Sequence, residues 1–134
     1  MVKKIATIDI VEVDTETVER HGSLPAAYVF YIKLSAKPER QWIDIFNFEW
    51  RRYQHVLKRQ IRVVGDRLRL VCGVDDNIQN HVALAEKLVK KTNARVEEDN
   101  RRIELMERRI RGGREVVEKE KDKIRRKLKE ISQQ

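Results

Sequence analysis

From Val82 to Ile131 every seventh residue is a β-branched aliphatic: Val82, Val89, Val96, Ile103, Ile110, Val117, Ile124 and Ile131. Seven residues make two turns of an α-helix, so these side chains fall on one narrow stripe. The residues between them are mostly charged. A long helix with something lying along the stripe is therefore the arrangement that keeps them together and out of water.

Taken as the a positions of a heptad, the stripe has Ala85, Thr92, Asp99, Met106, Gly113, Glu120 and Lys127 at d. A stable two-stranded coiled coil favours leucine at d, and here only Ala85 and Met106 are apolar. The g positions Arg95, Arg102, Arg109 and Lys123 are basic while e is mixed, so no clean pairing of flanking charges results. Gly112 and Gly113 each cost about 1 kcal/mol in a helix interior. The seven-residue phase persists across the pair, which favours one continuous helix over a hairpin or break. Two surfaces could complete the half-seam: the same helix in a homodimer, or the sheet of a neighbouring subunit. A solvated, self-standing charged helix is the plainer alternative. The expected oligomerisation stripe is Val96, Ile103, Met106, Ile110, Val117, Ile124 and Ile131, with a dimer favoured over another protein as partner.

The front of the chain is built differently. All eight aromatic residues lie between Tyr28 and Tyr53, so the large core belongs there. Residues 3–13 are rich in β-branched side chains and read as a strand, and residues 14–25 read as a polar loop. Ala26 to Leu34 alternates, with Tyr28, Phe30, Ile32 and Leu34 on one face and Val29, Tyr31 and Lys33 on a wetter one. Residues 35–39, with Pro38 in the first turn, start an amphipathic helix of about 18–20 residues. Its stripe is Ile43, Phe46, Trp50, Tyr53 and Leu57, widened by Trp42. Gly65-Asp66 reads as a two-residue type II′ hairpin turn, opposing Val64 to Arg67, Val63 to Leu68, Arg62 to Arg69 and Ile61 to Leu70. Residues 73–77 cap the final helix, with Asp75 and Asp76 at its positive dipole end. The order strand–strand–helix–strand–strand–helix predicts an α+β fold: an antiparallel four-stranded sheet packed by helices, with a long projecting C-terminal helix. The expected division is a compact unit over 1–92 and a charged helical extension over 93–134.

The formal charge of +8 points to anionic partners through long-range attraction. Residues 39–73 hold eight bases against four acids, and 74–134 hold 17 against 13. Arg62, Arg67 and Arg69 share one face of the hairpin, and like charges directly opposed across strands are unfavourable unless an anion intervenes. That anion could come from Asp9, Glu12 or the glutamates of the long helix. Otherwise the face, joined by Arg51, Arg52, Lys58 and Arg59, is a candidate anion-binding patch for nucleic acid or another polyanion. Against nucleic acid, no recognised binding motif is present and acids dilute the basic residues of the long helix.

Catalytic and metal-ligand spacings are absent: His21, His55 and His81 form no pattern with one another or with Cys72. A lone cysteine excludes an intrachain disulfide and fits a reducing compartment. No apolar run approaches the ~20 residues needed to cross a bilayer. These features predict a cytoplasmic, non-membrane, non-catalytic binding or assembly module that self-associates, with no cofactor or metal. Polyanion binding by the hairpin face is the alternative, and an enzyme with a site assembled between subunits is the second.

Overall fold

The computed structural model describes residues 3–53 and 59–133. The elements follow the expected order: β1 (Ile10–Arg20), β2 (Ala27–Leu34), α1 (Arg40–Arg52), β3 (Ile61–Val64), β4 (Arg67–Gly73) and α2 (Ile78–Ser132). The strands form one antiparallel sheet in the order β1-β2-β4-β3, giving the α+β architecture anticipated from the pattern. The β3–β4 hairpin has the register read from its turn, with Ile61 opposite Leu70, Arg62 opposite Arg69, Val63 opposite Leu68 and Val64 opposite Arg67. Gly65 has φ 61° and Asp66 a negative φ, the sign pattern of a type II′ turn.

Period-two alternation sends Phe30, Ile32, Leu34, Leu68, Leu70 and Ile61 to one face, where they meet Trp42 and Phe46 of α1 and Ala85, Leu88, Val89 and Val96 of α2. The Trp42 and Phe46 rings stack with centroids 5.4 Å apart. Those two rings are the centre of the buried stripe of α1, whereas Phe48 is exposed. The helix has 13 residues and stops at Arg52, with Tyr53 as its C-cap. It begins at Arg40, after Pro38 and a Glu39 N-cap, so residues 35–39 lie outside it and it is shorter than the expected 18–20 residues. Leu57 falls outside the described residues.

Three other expectations are corrected. First, β1 starts at Ile10 and runs through the region expected to be a polar loop. Asp14 makes this workable: its carboxylate accepts from the backbone N–H of Glu16 (2.9 Å) and Thr17 (3.1 Å), folding a bulge into the strand between Val13 and Val18. Second, residues 3–9 are extended but pair with a helix rather than with a strand. Asn93 and Asn100 each bridge a residue of this segment. The Asn93 side chain accepts from Ile8 N–H (3.0 Å) and donates to Ile8 C=O (2.6 Å). Asn100 accepts from Ile5 N–H (3.1 Å) and donates to Ile5 C=O (2.9 Å). The spacing works because seven helical residues rise about 10.5 Å and three extended residues span about 10 Å. Third, the far face of the sheet is drier than expected. Val29, Tyr31 and Val71 are buried there, and the Arg67 side chain lies over the Tyr31 ring.

Asp76 was expected to cap α2, but the N-cap is Asn77 and no side chain caps the helix. The Asp76 carboxylate instead accepts from the Gly73 N–H (2.9 Å), the Nε and Nη2 of the Arg59 guanidinium (3.0 and 3.1 Å) and His81 Nε2 (2.8 Å). It ties the end of β4, the first turns of α2 and the approach to β3 together. These donors, Arg59 foremost, hold its carboxyl far below the usual carboxylate range.

Candidate functional site

α2 is one helix of 55 residues, unbroken at Gly112 and Gly113. A methyl group at either glycine would meet nothing within 4 Å, so neither is there for close packing. The helix is docked as far as the ladder asparagines: Val89 and Val96 are core residues, and Val82 packs at the core's edge. Val96, one of the expected oligomerisation positions, is only 1% exposed and is used inside its own chain. Ile103 is half-buried where the helix leaves the domain.

Beyond Glu104 every described residue of α2 is exposed. From Leu105 to Ser132 the helix projects for 28 residues, or about 42 Å. Of the predicted stripe, Met106, Ile110, Val117, Ile124 and Ile131 lie here, between 48% and 67% exposed. Leu128 also belongs to the stripe, four residues beyond Ile124 and three before Ile131. Strict seven-residue counting passes over it, whereas the i, i+4, i+7 pattern of a helix face finds it. Leu105 and Val116 are exposed away from this line.

The rest of the projecting surface is held in helical form by local ion pairs, among them Arg108–Glu104 (3.0 Å) and Arg125–Asp122 (2.6 Å), each contributing about 0.2–0.5 kcal/mol. Charge is not evenly placed around the helix. By helical angle the residues bordering the stripe include Arg109, Arg114, Lys121 and Lys127 against Glu120, while Glu115, Glu118 and Asp122 lie toward the opposite side.

The basic candidates do not form one patch. Arg62, Arg67 and Arg69 occupy the far face of the sheet, beside Lys33, which stands opposite Arg67. α1, with Arg51 and Arg52, packs on the other face. Arg52 reaches Glu49 (3.9 Å) and lies over the Phe48 ring, and Arg59 is taken by Asp76. Lys58 lies outside the described residues. Arg67 sits 4.4 Å above the Tyr31 ring, a cation–π contact. Glu19, one of the acids on this side of the sheet, accepts from the Tyr31 hydroxyl (3.4 Å). Among the described residues no carboxylate lies within 4.0 Å of the basic groups of Lys33, Arg62, Arg67 or Arg69.

The reactive side chains stay dispersed. His21 Nδ1 accepts from the Ser23 and Leu24 N–H groups, His81 is held by Asp76, and His55 is outside the described residues. Burial pushes the Cys72 thiol above its ordinary value, which suppresses the nucleophilic thiolate. A groove of about 540 Å³ between α1 and α2 is lined by Glu49, Arg52, Tyr53, Lys91, Ala94, Arg95 and Glu98, and includes none of these groups. Among the described residues no three His, Cys, Asp or Glu side chains are grouped to hold a metal ion, and no helix is long and apolar enough to cross a membrane. No protein-family model matches the chain, and no curated protein or solved structure is significantly similar to it.

Proposed function

We propose that this protein is an assembly module that self-associates through the projecting part of α2. One observation carries the reading: Met106, Ile110, Val117, Ile124, Leu128 and Ile131 line one side of the projecting part of α2, over some 40 Å, and all are exposed. Isolated apolar residues are ordinary on a surface, but a continuous line rimmed by polar groups marks an interaction surface. The docked half of the same periodic stripe is already covered by the sheet and α1, so the exposed half is where a partner would sit.

Sedimentation of the full chain tests the proposal. A species of at least twice the 16.0 kDa chain mass is expected at micromolar concentration, reverting to monomer in Ile124→Asp. A monomer for the unmodified chain throughout the accessible concentration range would overturn it. Ile124 is exposed, so the substitution leaves the core intact.

A second reading is supported by the far sheet face, where Arg62 and Arg69 stand directly opposed and, among the described residues, form no ion pair within 4.0 Å. Such a face would hold a polyanion. Binding of this kind must weaken steeply with salt as counterions are released. Absence of binding to a generic polyanion at low ionic strength would dismiss it.

A further inference from the structure

We infer that the projecting part of α2 pairs antiparallel with the same segment of a second copy of this chain, about a two-fold axis at Val117. The pairing rests on the self-association proposed above and gives it a partner surface, a direction and a register.

The stripe has the same spacing in both directions from Val117. Four residues away stand Gly113 and Lys121, seven away Ile110 and Ile124, eleven away Met106 and Leu128, and fourteen away Ile103 and Ile131. At about 100° per residue all eight lie within about 40° of the Val117 line, the two members of each couple on opposite sides of it. A two-fold axis crossing both helices at Val117 brings the members of each couple level with one another across the contact. Standing on opposite sides of the line, they interleave as knobs and holes do. The apolar layers are then Ile103 with Ile131, Met106 with Leu128, Ile110 with Ile124, and Val117 with its own copy. All of these except half-buried Ile103 are exposed in the single chain. The layers extend over four heptads, and apolar repeats sustained over about three to four heptads mark a coiled coil.

Two interruptions of the stripe select the direction. Antiparallel pairing sets Gly113 level with Lys121, where the missing side chain leaves room for the lysine stem and the ammonium reaches water at the border. A Cβ at Gly113 meets nothing within 4 Å in its own chain, so that space is open. Parallel pairing sets each residue level with its own copy: two glycines leave a void, and two Lys121 ammonium groups meet in the seam. The border charges decide less. On one border Glu107 comes beside Arg125 of the other chain, although each already holds an exposed ion pair in its own chain, with Lys4 and Asp122. On the other, Arg109 comes near Lys127, with Glu120 on the same border to offset them. The apolar layers and the fit of Lys121 over Gly113 therefore set the register.

Cysteine trapping reads that register. Val117→Cys, Ile110→Cys and Ile124→Cys each alter an exposed position, and the unmodified chain controls for buried Cys72. In a glutathione redox buffer a disulfide forms only where the Cα atoms come within about 7 Å. A species of twice the 16.0 kDa chain mass is expected on a non-reducing gel for Val117→Cys alone. The same species is expected for Ile110→Cys mixed with Ile124→Cys before oxidation, and not for either of these two alone. Linking of Ile110→Cys or Ile124→Cys alone, as the principal product, would keep self-association and overturn the antiparallel register. Absence of the mixed link, with the unmodified chain dimeric in sedimentation, would overturn it as well. A monomeric unmodified chain overturns the assembly proposal and the pairing with it.

Discussion

Replacing Asn93 by alanine should be far more damaging than the same change at Asn100, although both residues make the same pair of bridges to an extended segment. Asn93 carries a third bond: its Oδ1 also accepts from Trp42 Nε1 at 2.9 Å, and Trp42 is fully buried. Truncation removes the acceptor and donor used by Ile8, worth about 1 kcal/mol each, and orphans an indole N–H that water cannot reach, costing about 2 kcal/mol more. Alanine's better helix propensity returns about 0.6 kcal/mol, leaving a net loss of about 3 kcal/mol. At Asn100 the two bridges lie where water can replace them, so the same arithmetic leaves about 1 kcal/mol. Asn93→Asp should resemble the alanine variant, because it keeps the acceptor but turns an oxygen toward Ile8 C=O, now 2.6 Å from the amide nitrogen. Urea unfolding followed by far-ultraviolet circular dichroism, at matched protein concentration, measures all three. With a slope of about 1–3 kcal/mol per molar urea, Asn93→Ala should lower the midpoint by at least about 1 M. Equal losses at the two asparagines, or a loss below about 1 kcal/mol at Asn93, would refute the role given to the buried indole.

Asp76 has a folded-state carboxyl held far below its ordinary value, so its contribution is complete above the unfolded value near 3.9 and is lost as pH falls below about 4. Asp76→Asn should therefore flatten the acid limb of a stability–pH curve measured between neutral pH and pH 2; an unchanged limb would discount the Arg59, Gly73 and His81 donors. Gly112→Ala with Gly113→Ala meets open space and should add about 1 kcal/mol of helix stability per site, read as slower amide exchange in the projection, severalfold for each kcal/mol. Arg62→Glu replaces a repulsive cross-strand pair with an attractive one opposite Arg69 and should raise stability by about 0.2–1 kcal/mol. A drop in stability would mean that the Arg62–Arg69 repulsion is already relieved in the native protein.

The hairpin was legible to the residue because two independent constraints agree: a glycine at the one turn position with positive φ, and alternation whose phase cannot slip without turning Leu68 and Leu70 to water. The α2 periodicity was legible as a helix for a similar reason. What the periodicity could not say is which surface covers each part of the stripe. Val89 and Val96 face their own core while Ile110 and Ile124 face outward, and all four occupy equivalent positions in the repeat. Periodicity records that a face has been kept apolar, not by which neighbour it is shielded. Residues 3–9 misled as a strand because β-branched composition reports extended backbone and is silent on whether the hydrogen-bonding partner is a strand or a pair of asparagines. Asp76 misled because an acid before a helix serves equally as a cap or as an anchor, and the choice depends on Arg59, which is remote in sequence. The arginine patch was read too broadly, since the chain gives no sign that the sheet separates Arg51 and Arg52 from Arg62 and Arg69.

The asparagine ladder also governs when this domain can finish folding. The segment before β1 is synthesised well ahead of its hydrogen-bonding partners, which stand 85 and 95 positions later. On a ribosome the opening stretch has no native neighbour until the midpoint of α2 has emerged. The sheet and α1 can gather beforehand, but Trp42 keeps an unsatisfied indole, and one flank of the core stays open, until that late arrival closes it.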